Sequence, residues 1–232
     1  MTDCLLYILH TLIGWDTNLT LWINGIHSDY WDNFMEMYSM RFVWLPFYLS
    51  FGYVLFRHYC WKVALICIAA AIILLILNDQ LCSSVIRRSI GRLRPSNLDN
   101  PMSAFVHVVD GYRGGRMGFP SAHASNSWGT AFFVIYMFRH RLLSLTMVLW
   151  SVMMCYSRLY LGVHYLGDTV AGLLLGLVNA TLVCYLLKRC APQVVAAFRP
   201  EKEGHAAFCL PAIVFWISVT GMLVSAFFVD PS

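Results

Sequence analysis

Charge is scarce in this chain. Of its 232 residues only 12% are Asp, Glu, Lys or Arg, against about 25% in ordinary soluble domains, while 59% are apolar. Mean hydropathy is +0.64. Disorder, collagen-like sequence and a solvated globular surface are excluded together. Lysine is scarcer still, with three lysines beside thirteen arginines. The eight cysteines form no C-x-x-C pair and sit in or beside apolar runs, so they read as small hydrophobes rather than a disulfide or zinc framework. The first residues lack a basic segment and a small-residue cleavage site, so no cleavable signal is expected.

What is present is long apolar sequence. A bilayer core about 30 Å thick takes a helix of about 20 apolar residues. Six segments approach this: 43–56, 63–77 continuing toward 86, 125–138, 142–156, 169–187 and 206–229. Arg139-His140-Arg141 separates the third from the fourth and predicts a tight helical hairpin. The fold class expected is all-α: a polytopic membrane protein, one domain over 1–232, with a six-helix transmembrane bundle over 41–232. Residues 1–40 differ. Leu5, Leu6, Ile8, Leu9, Leu12 and Ile13 form an apolar face before a stretch rich in Trp, Tyr and acids, which predicts an amphipathic helix in the membrane interface. Gly172-x-x-x-Gly176 predicts close helix packing.

The short loops orient the bundle. Arg57, Lys62, Arg139, Arg141, Lys188 and Arg189 fall on one side, which the positive-inside rule makes cytoplasmic. Segments 79–123 and 157–168 then face outward, on the periplasmic side of a bacterial inner membrane. The first carries six arginines: Arg87, Arg88, Arg92, Arg94, Arg113 and Arg116. Arginine is the planar, bidentate ligand of phosphate, so this loop reads as an anion site and not as a nucleic-acid surface.

Three polar blocks end hydrophobic segments on that side: Arg87-x6-Arg94-Pro95, Pro120-Ser121-Ala122-His123, and Ser157-Arg158-x5-His164-x3-Asp168. Ionisable groups at membrane helix ends are costly unless partnered or functional. His164 and Asp168 share a helix face at four-residue spacing, so the carboxylate can fix the imidazole tautomer and free the other nitrogen for attack. Pro120 suits a helix start, which turns backbone N–H groups near His123 toward an anion. Phosphoryl transfer needs positive charge on three equatorial oxygens and in-line nucleophile and leaving group. Arg87, Arg94, Arg158 and Ser121 offer the first; His164 and His123 offer the second. The arginines stand in for a metal, so no metal and no cofactor are expected.

The order and spacing of these blocks resemble the tripartite signature of the type 2 phosphatidic acid phosphatase (PAP2) superfamily, K-x6-R-P, P-S-G-H and S-R-x5-H-x3-D. Arg87 takes the lysine position and Ala122 the glycine. The resemblance implies a metal-independent phosphatase in which His164 becomes phosphohistidine, Asp168 orients it and His123 protonates the leaving group. Arg87, Arg94, Ser121, Ala122 and Arg158 would hold the phosphate. The substrate implied is a lipid phosphate or diphosphate: undecaprenyl diphosphate or a lipid A-type phosphate first, phosphatidylglycerol phosphate or phosphatidic acid next. Vanadate-dependent haloperoxidases share this layout but are soluble. A non-catalytic lipid-binding or transport protein is the third reading.

Other features stay bland. His10, His27, His58, His107, His140 and His205 match no block and read as interfacial or loop residues. Gly111-Tyr112-Arg113-Gly114-Gly115-Arg116-Met117-Gly118-Phe119 lacks the spacing and preceding strand of a dinucleotide loop, and its glycines predict a turn beside the site. Arg113, Arg116, His107 and Asp110 are expected to bear weakly on substrate choice. Arg88 and Arg92 are left open between a second phosphate, lipid headgroups and solvation.

Overall fold

A computed structural model describes residues 2–198 and 208–229, and among them every regular element is helical apart from one isolated bridge, Leu93 to Met117. Helices α1 (Thr2–Asn24) and α2 (Asp29–Ser39) precede α3 (Leu45–His58) and α4 (Trp61–Gln80). A π-turn over Leu81–Ile86 carries α4 into the short α5 (Arg87–Ile90). After a long irregular segment come α6 (Ala122–Phe138), α7 (Arg141–Tyr160), α8 (Leu166–Cys190), α9 (Pro192–Ala197) and α10 (Cys209–Ser225).

Local chemistry sets the boundaries. The Ser28 hydroxyl caps α2, and a proline in the first turn of α3 gives up only an N–H that has no helical partner. Gly91, at φ 67°, ends α5 in the left-handed conformation that spares glycine a Cβ clash. The expected hairpin forms: Arg139 leaves α6 at φ 51° and His140 caps α7 directly.

Among the described residues, three helices are long and apolar enough to cross a bilayer: Trp61–Ile90, Arg141–Tyr160 and Leu166–Cys190. Large side chains such as Ile73, Ile76, Leu174 and Val178 stand exposed on them, as lipid contact requires. The other three apolar segments form shorter helices, 14 residues in α3 and 17 each in α6 and α10. Part of the last expected segment, 206–207, lies outside the described residues. The first turns of α6 carry Ser125, Asn126 and Ser127, of which Ser125 and Ser127 are buried inside the protein.

The N-terminal segment is α1, a turn, and α2. The polar residues of α1 at four-residue spacing, Asp16, Thr20 and Asn24, are spent on other parts of the protein rather than on water. Thr20 and Asn24 are each 1% exposed.

The closest helix packing fixes the site. A Cβ on Gly172 would lie 2.5 Å from the Ser121 carbonyl oxygen, and one on Gly176 would lie 2.6 Å from that of Ser125 and 2.7 Å from the Gly129 nitrogen. Only glycine lets the α6 and α8 backbones approach so closely, as the G-x-x-x-G spacing predicts. Asn78, fully buried, donates to the Ser125 carbonyl (3.0 Å) and accepts from Asn179 (2.7 Å), tying α4, α6 and α8 together. The start of α6 is thereby set against the start of α8, where the Ser121 N–H donates to the Asp168 carbonyl at 2.9 Å.

Candidate active site

His164 lies in the turn between α7 and α8 and is 1% exposed. Arg94 Nη1 donates toward its Nε2 at 3.2 Å, so Nε2 accepts and the ring proton belongs on Nδ1. Nδ1 faces Asp168 Oδ2 at 3.4 Å. The tautomer is thus the one a nucleophile needs, with the Nε2 lone pair turned toward guanidinium groups. Burial, then the charges of Arg94, Arg158 and Arg87, hold the His164 imidazolium well below the usual histidine range. The ring stays neutral.

Asp168 is the third residue of α8. Its Oδ2 accepts the Tyr165 N–H at 3.0 Å, which closes the N-terminal cap of the helix. Its Oδ1 accepts from Arg92 Nη1 at 3.0 Å, and Arg92 Nη2 reaches Asp16 Oδ2 at 2.6 Å. Asp16 Oδ1 in turn accepts the Gly167 N–H at 2.7 Å. The Arg92 guanidinium also lies 3.9 Å from the Tyr165 ring centroid. Of the roles the sequence left open for Arg92, the structure shows its guanidinium bonded to the carboxylates of Asp168 and Asp16. Asp16 is a site residue the sequence did not single out, since a lone Asp in an apolar helix carries no motif.

Arg94 is buried, with Nε donating to Met117 O (3.2 Å) and Nη1 to Val163 O (3.1 Å). Burial first, then repulsion from Arg158 and Arg87, pulls its pKa down to about 10, which leaves it cationic at neutral pH. Arg158 is 2% exposed, and its Nε and Nη2 have no hydrogen-bond partner. Arg87 donates through Nη2 to the Pro120 carbonyl at 3.0 Å while its Nε is likewise unpartnered. Buried, unsatisfied guanidinium N–H groups are costly. Arg158 and Arg87 carry such groups, and together with Arg94 against His164 they have the chemistry of a phosphate cradle.

Ser121 caps α6, its hydroxyl accepting the Ala124 N–H at 3.4 Å, and Ala122 follows it, 9% exposed. His123, one residue on, shares a cavity of about 320 Å³ with Arg158, Tyr112 and Arg41. Arg41 also belongs to no sequence block. A second cavity, about 430 Å³, opens on the other side of His123 between α3, α4, α6 and α7. Its wall includes Arg41, Asp79, Gln80, Asn126 and Trp150. Both Asn126 Oδ1 and Trp150 Nε1 are buried there without a partner.

The connecting loop behaves as its glycines predict. A Cβ on Gly118 would lie 2.9 Å from Asp168 Oδ2, and one on Gly114 (φ 67°) would lie 2.9 Å from Arg94 Nη1. Arg113 is occupied within the loop, donating to Ser96 O at 2.7 Å. Arg116 makes an exposed pair with Asp99 at 3.5 Å, and Arg88 is exposed. The Ser157 hydroxyl is used inside α7, on Met154 O.

Known proteins resemble this chain. Residues 61–192 match the PAP2 superfamily. A protein of Bacteroides thetaiotaomicron named lipid A 4'-phosphatase is 49% identical over 161 residues, spanning 69% of this chain and 72% of that one. One of the same name from Porphyromonas gingivalis is 34% identical over 165 residues, spanning 70% and 69%. The crystal structure of a transmembrane PAP2-type phosphatidylglycerolphosphate phosphatase from Bacillus subtilis superposes with a TM-score of 0.58 at 20% identity, covering 77% of this chain and 87% of its own. That last likeness speaks to the fold. With the matched region holding Arg94, His123, His164 and Asp168 and spanning more than half of its length, the chain belongs to the PAP2 superfamily of phosphatases.

Proposed function

We propose that this chain removes a phosphate monoester from a phosphorylated glycolipid of the lipid A type, through a covalent phosphohistidine on His164. The observation that carries the mechanism is the placement of the His164 ring, Nδ1 toward Asp168 and Nε2 toward Arg94.

In the first step the Nε2 lone pair forms a bond to phosphorus as the bond to the lipid oxygen breaks. His123 gives its proton to that oxygen, and the alcohol leaves. Arg87, Arg94, Arg158, the Ser121 hydroxyl and the first backbone N–H groups of α6, starting at Ala122, hold the three equatorial oxygens. In the second step water attacks phosphorus, His123 takes a water proton, and the P–N electrons return to Nε2. Inorganic phosphate departs. Asp168 balances the positive charge that His164 carries in the intermediate. No metal ion and no cofactor enter either step.

A sugar as leaving group is supported by the larger cavity beside His123. Amide, carboxylate and indole N–H groups with an aromatic wall suit a polyhydroxylated ring, and the orphaned atoms of Asn126 and Trp150 need polar partners. The names borne by the two bacterial relatives point the same way. We further read the chain as one domain of six membrane-crossing helices in a bacterial inner membrane, with the catalytic end on the periplasmic face.

Two measurements test this together. Phosphate release from a panel of lipid A, undecaprenyl diphosphate, phosphatidylglycerol phosphate and phosphatidic acid, in detergent with chelator present, should be fastest for lipid A. Quenching turnover of 32P-labelled substrate should trap an acid-labile, base-stable label that His164→Ala lacks. Equal label on that variant, or no activity with chelator, refutes the mechanism.

A further inference from the structure

Outside the phosphate site, three potential metal ligands from distant parts of the chain meet on the same end of the molecule. His27 follows α1, Asp32 lies in α2, and His107 lies in the long segment before α6. One ligand atom from each lies within 4.8 Å of the other two. His107 Nε2 and Asp32 Oδ2 are already 2.7 Å apart. The His27 and His107 rings stack with centroids 3.8 Å apart and planes 5° from parallel.

The groups behind these ligands are organised as outer-shell supports are. The Tyr160 hydroxyl donates to Asp32 Oδ1, which leaves Oδ2 turned toward the two imidazoles. Asn24 holds the His107 backbone on both sides, its Nδ2 donating to His107 O (2.9 Å) and its Oδ1 accepting the His107 N–H (2.8 Å). The same Nδ2 donates to Tyr160 O at 2.6 Å. Such second contacts fix the tautomer and aim of ligands in metal sites. His27 is the complementary part: exposed, with its ring nitrogens making no hydrogen bond among the described residues, so it is free to swing.

We propose that His27, Asp32 and His107 form a binding site for a divalent transition-metal ion, with Zn²⁺ the best fit. Two neutral imidazoles and one carboxylate are a borderline-soft set that suits zinc over magnesium or calcium. The ion displaces the proton shared by His107 and Asp32, and His27 tilts out of its stack to complete three protein positions. The fourth faces water, as the exposure of His27 requires. Bound there, the ion cross-links the α1–α2 turn to the segment that leads to Tyr112 beside Arg158. It is a clip, distinct from the metal-free chemistry at His164.

The test uses the full chain in detergent, stripped with chelator and dialysed against Zn²⁺ alone. Wild-type protein should retain one ion per chain, and zinc absorption-edge spectroscopy should show imidazole and oxygen at about 2.0–2.2 Å with no sulfur at about 2.3 Å. His27→Ala removes an exposed ring that makes no hydrogen bond among the described residues, so it should fold and bind Zn²⁺ at least about 10- to 100-fold more weakly. Asp32→Asn keeps the shape of the carboxylate and should weaken binding as well. Unchanged affinity in His27→Ala, a sulfur shell from the cysteines, or no retained zinc in wild type overturns the assignment.

Discussion

Arg92→Ala is the most informative single change. Arg92 is 25% exposed in its side chain and bonds Asp168, which is fully buried, and Asp16. It touches neither His164 nor the three cradle arginines. Deleting it strands Asp168 Oδ1 in the interior while Oδ2 keeps the Tyr165 N–H and His164. Losing one partner of a buried pair costs about 3–5 kcal/mol, and the partial exposure of Arg92 lowers that to about 1–3 kcal/mol. Asp168 then rotates or recruits water, and the His164 ring loses its fixed aim. A misplacement of this kind should lower kcat by about 10- to 100-fold with little change in KM, because substrate phosphate meets other residues. Steady-state phosphate release in mixed micelles gives both constants, and inhibition by vanadate reports on the cradle separately. Arg92→Lys reaches only one carboxylate and should recover part of kcat. Asp16→Asn should lower kcat in the same sense, and the double variant should fall short of the product of the two, since both act through one carboxylate. A raised KM, weaker vanadate inhibition and unchanged kcat in Arg92→Ala refute the reasoning and make Arg92 a substrate ligand.

The other predictions are shorter. Histidine NMR in detergent, assigned by difference with His164→Ala, should place the His164 midpoint below the ordinary value of about 6.5, and a midpoint at or above that value refutes the burial argument. The sign for stability follows: the unfolded chain takes up a proton near pH 6.5 that the native ring refuses, so this group destabilises the fold as pH falls through that value. Trp150→Phe deletes one buried N–H from the larger cavity. Its kcat/KM for a glycolipid phosphate relative to a simple alkyl phosphate should drop about 5- to 30-fold, and an unchanged ratio removes the sugar from that cavity. Gly176→Val drives a side chain into the Ser125 carbonyl and the Gly129 backbone, and thermal melting should report a loss of about 1–3 kcal/mol.

The grouping of the polar blocks was more legible than the extent of the helices. Arg94, His164 and Asp168 sit in separately spaced blocks, and the structure brings them into contact. G-x-x-x-G was legible for a similar reason: close backbones demand small residues wherever they occur. Helix spans were less legible, because an apolar run does not say where its helix stops, and α6 and α10 stop at 17 residues. Asp16, Asn24 and Arg41 were silent. Their partners lie far away along the chain, 151 residues on for Asp16 and Gly167, and no local spacing records such a meeting. The His27, Asp32 and His107 cluster was hidden likewise, with 75 residues separating the last two.

The attachment of α1 has a temporal consequence. Asp16, Thr20 and Asn24 emerge from the ribosome early, yet their partners Gly167, Leu166 and Tyr160 are made well over a hundred residues later. Before that α1 can meet only Arg92, through Asp16, and His107, through Asn24, while Arg92 still lacks Asp168. The contacts that brace Asp168 beside His164 are therefore completed only once the turn before α8 has been made.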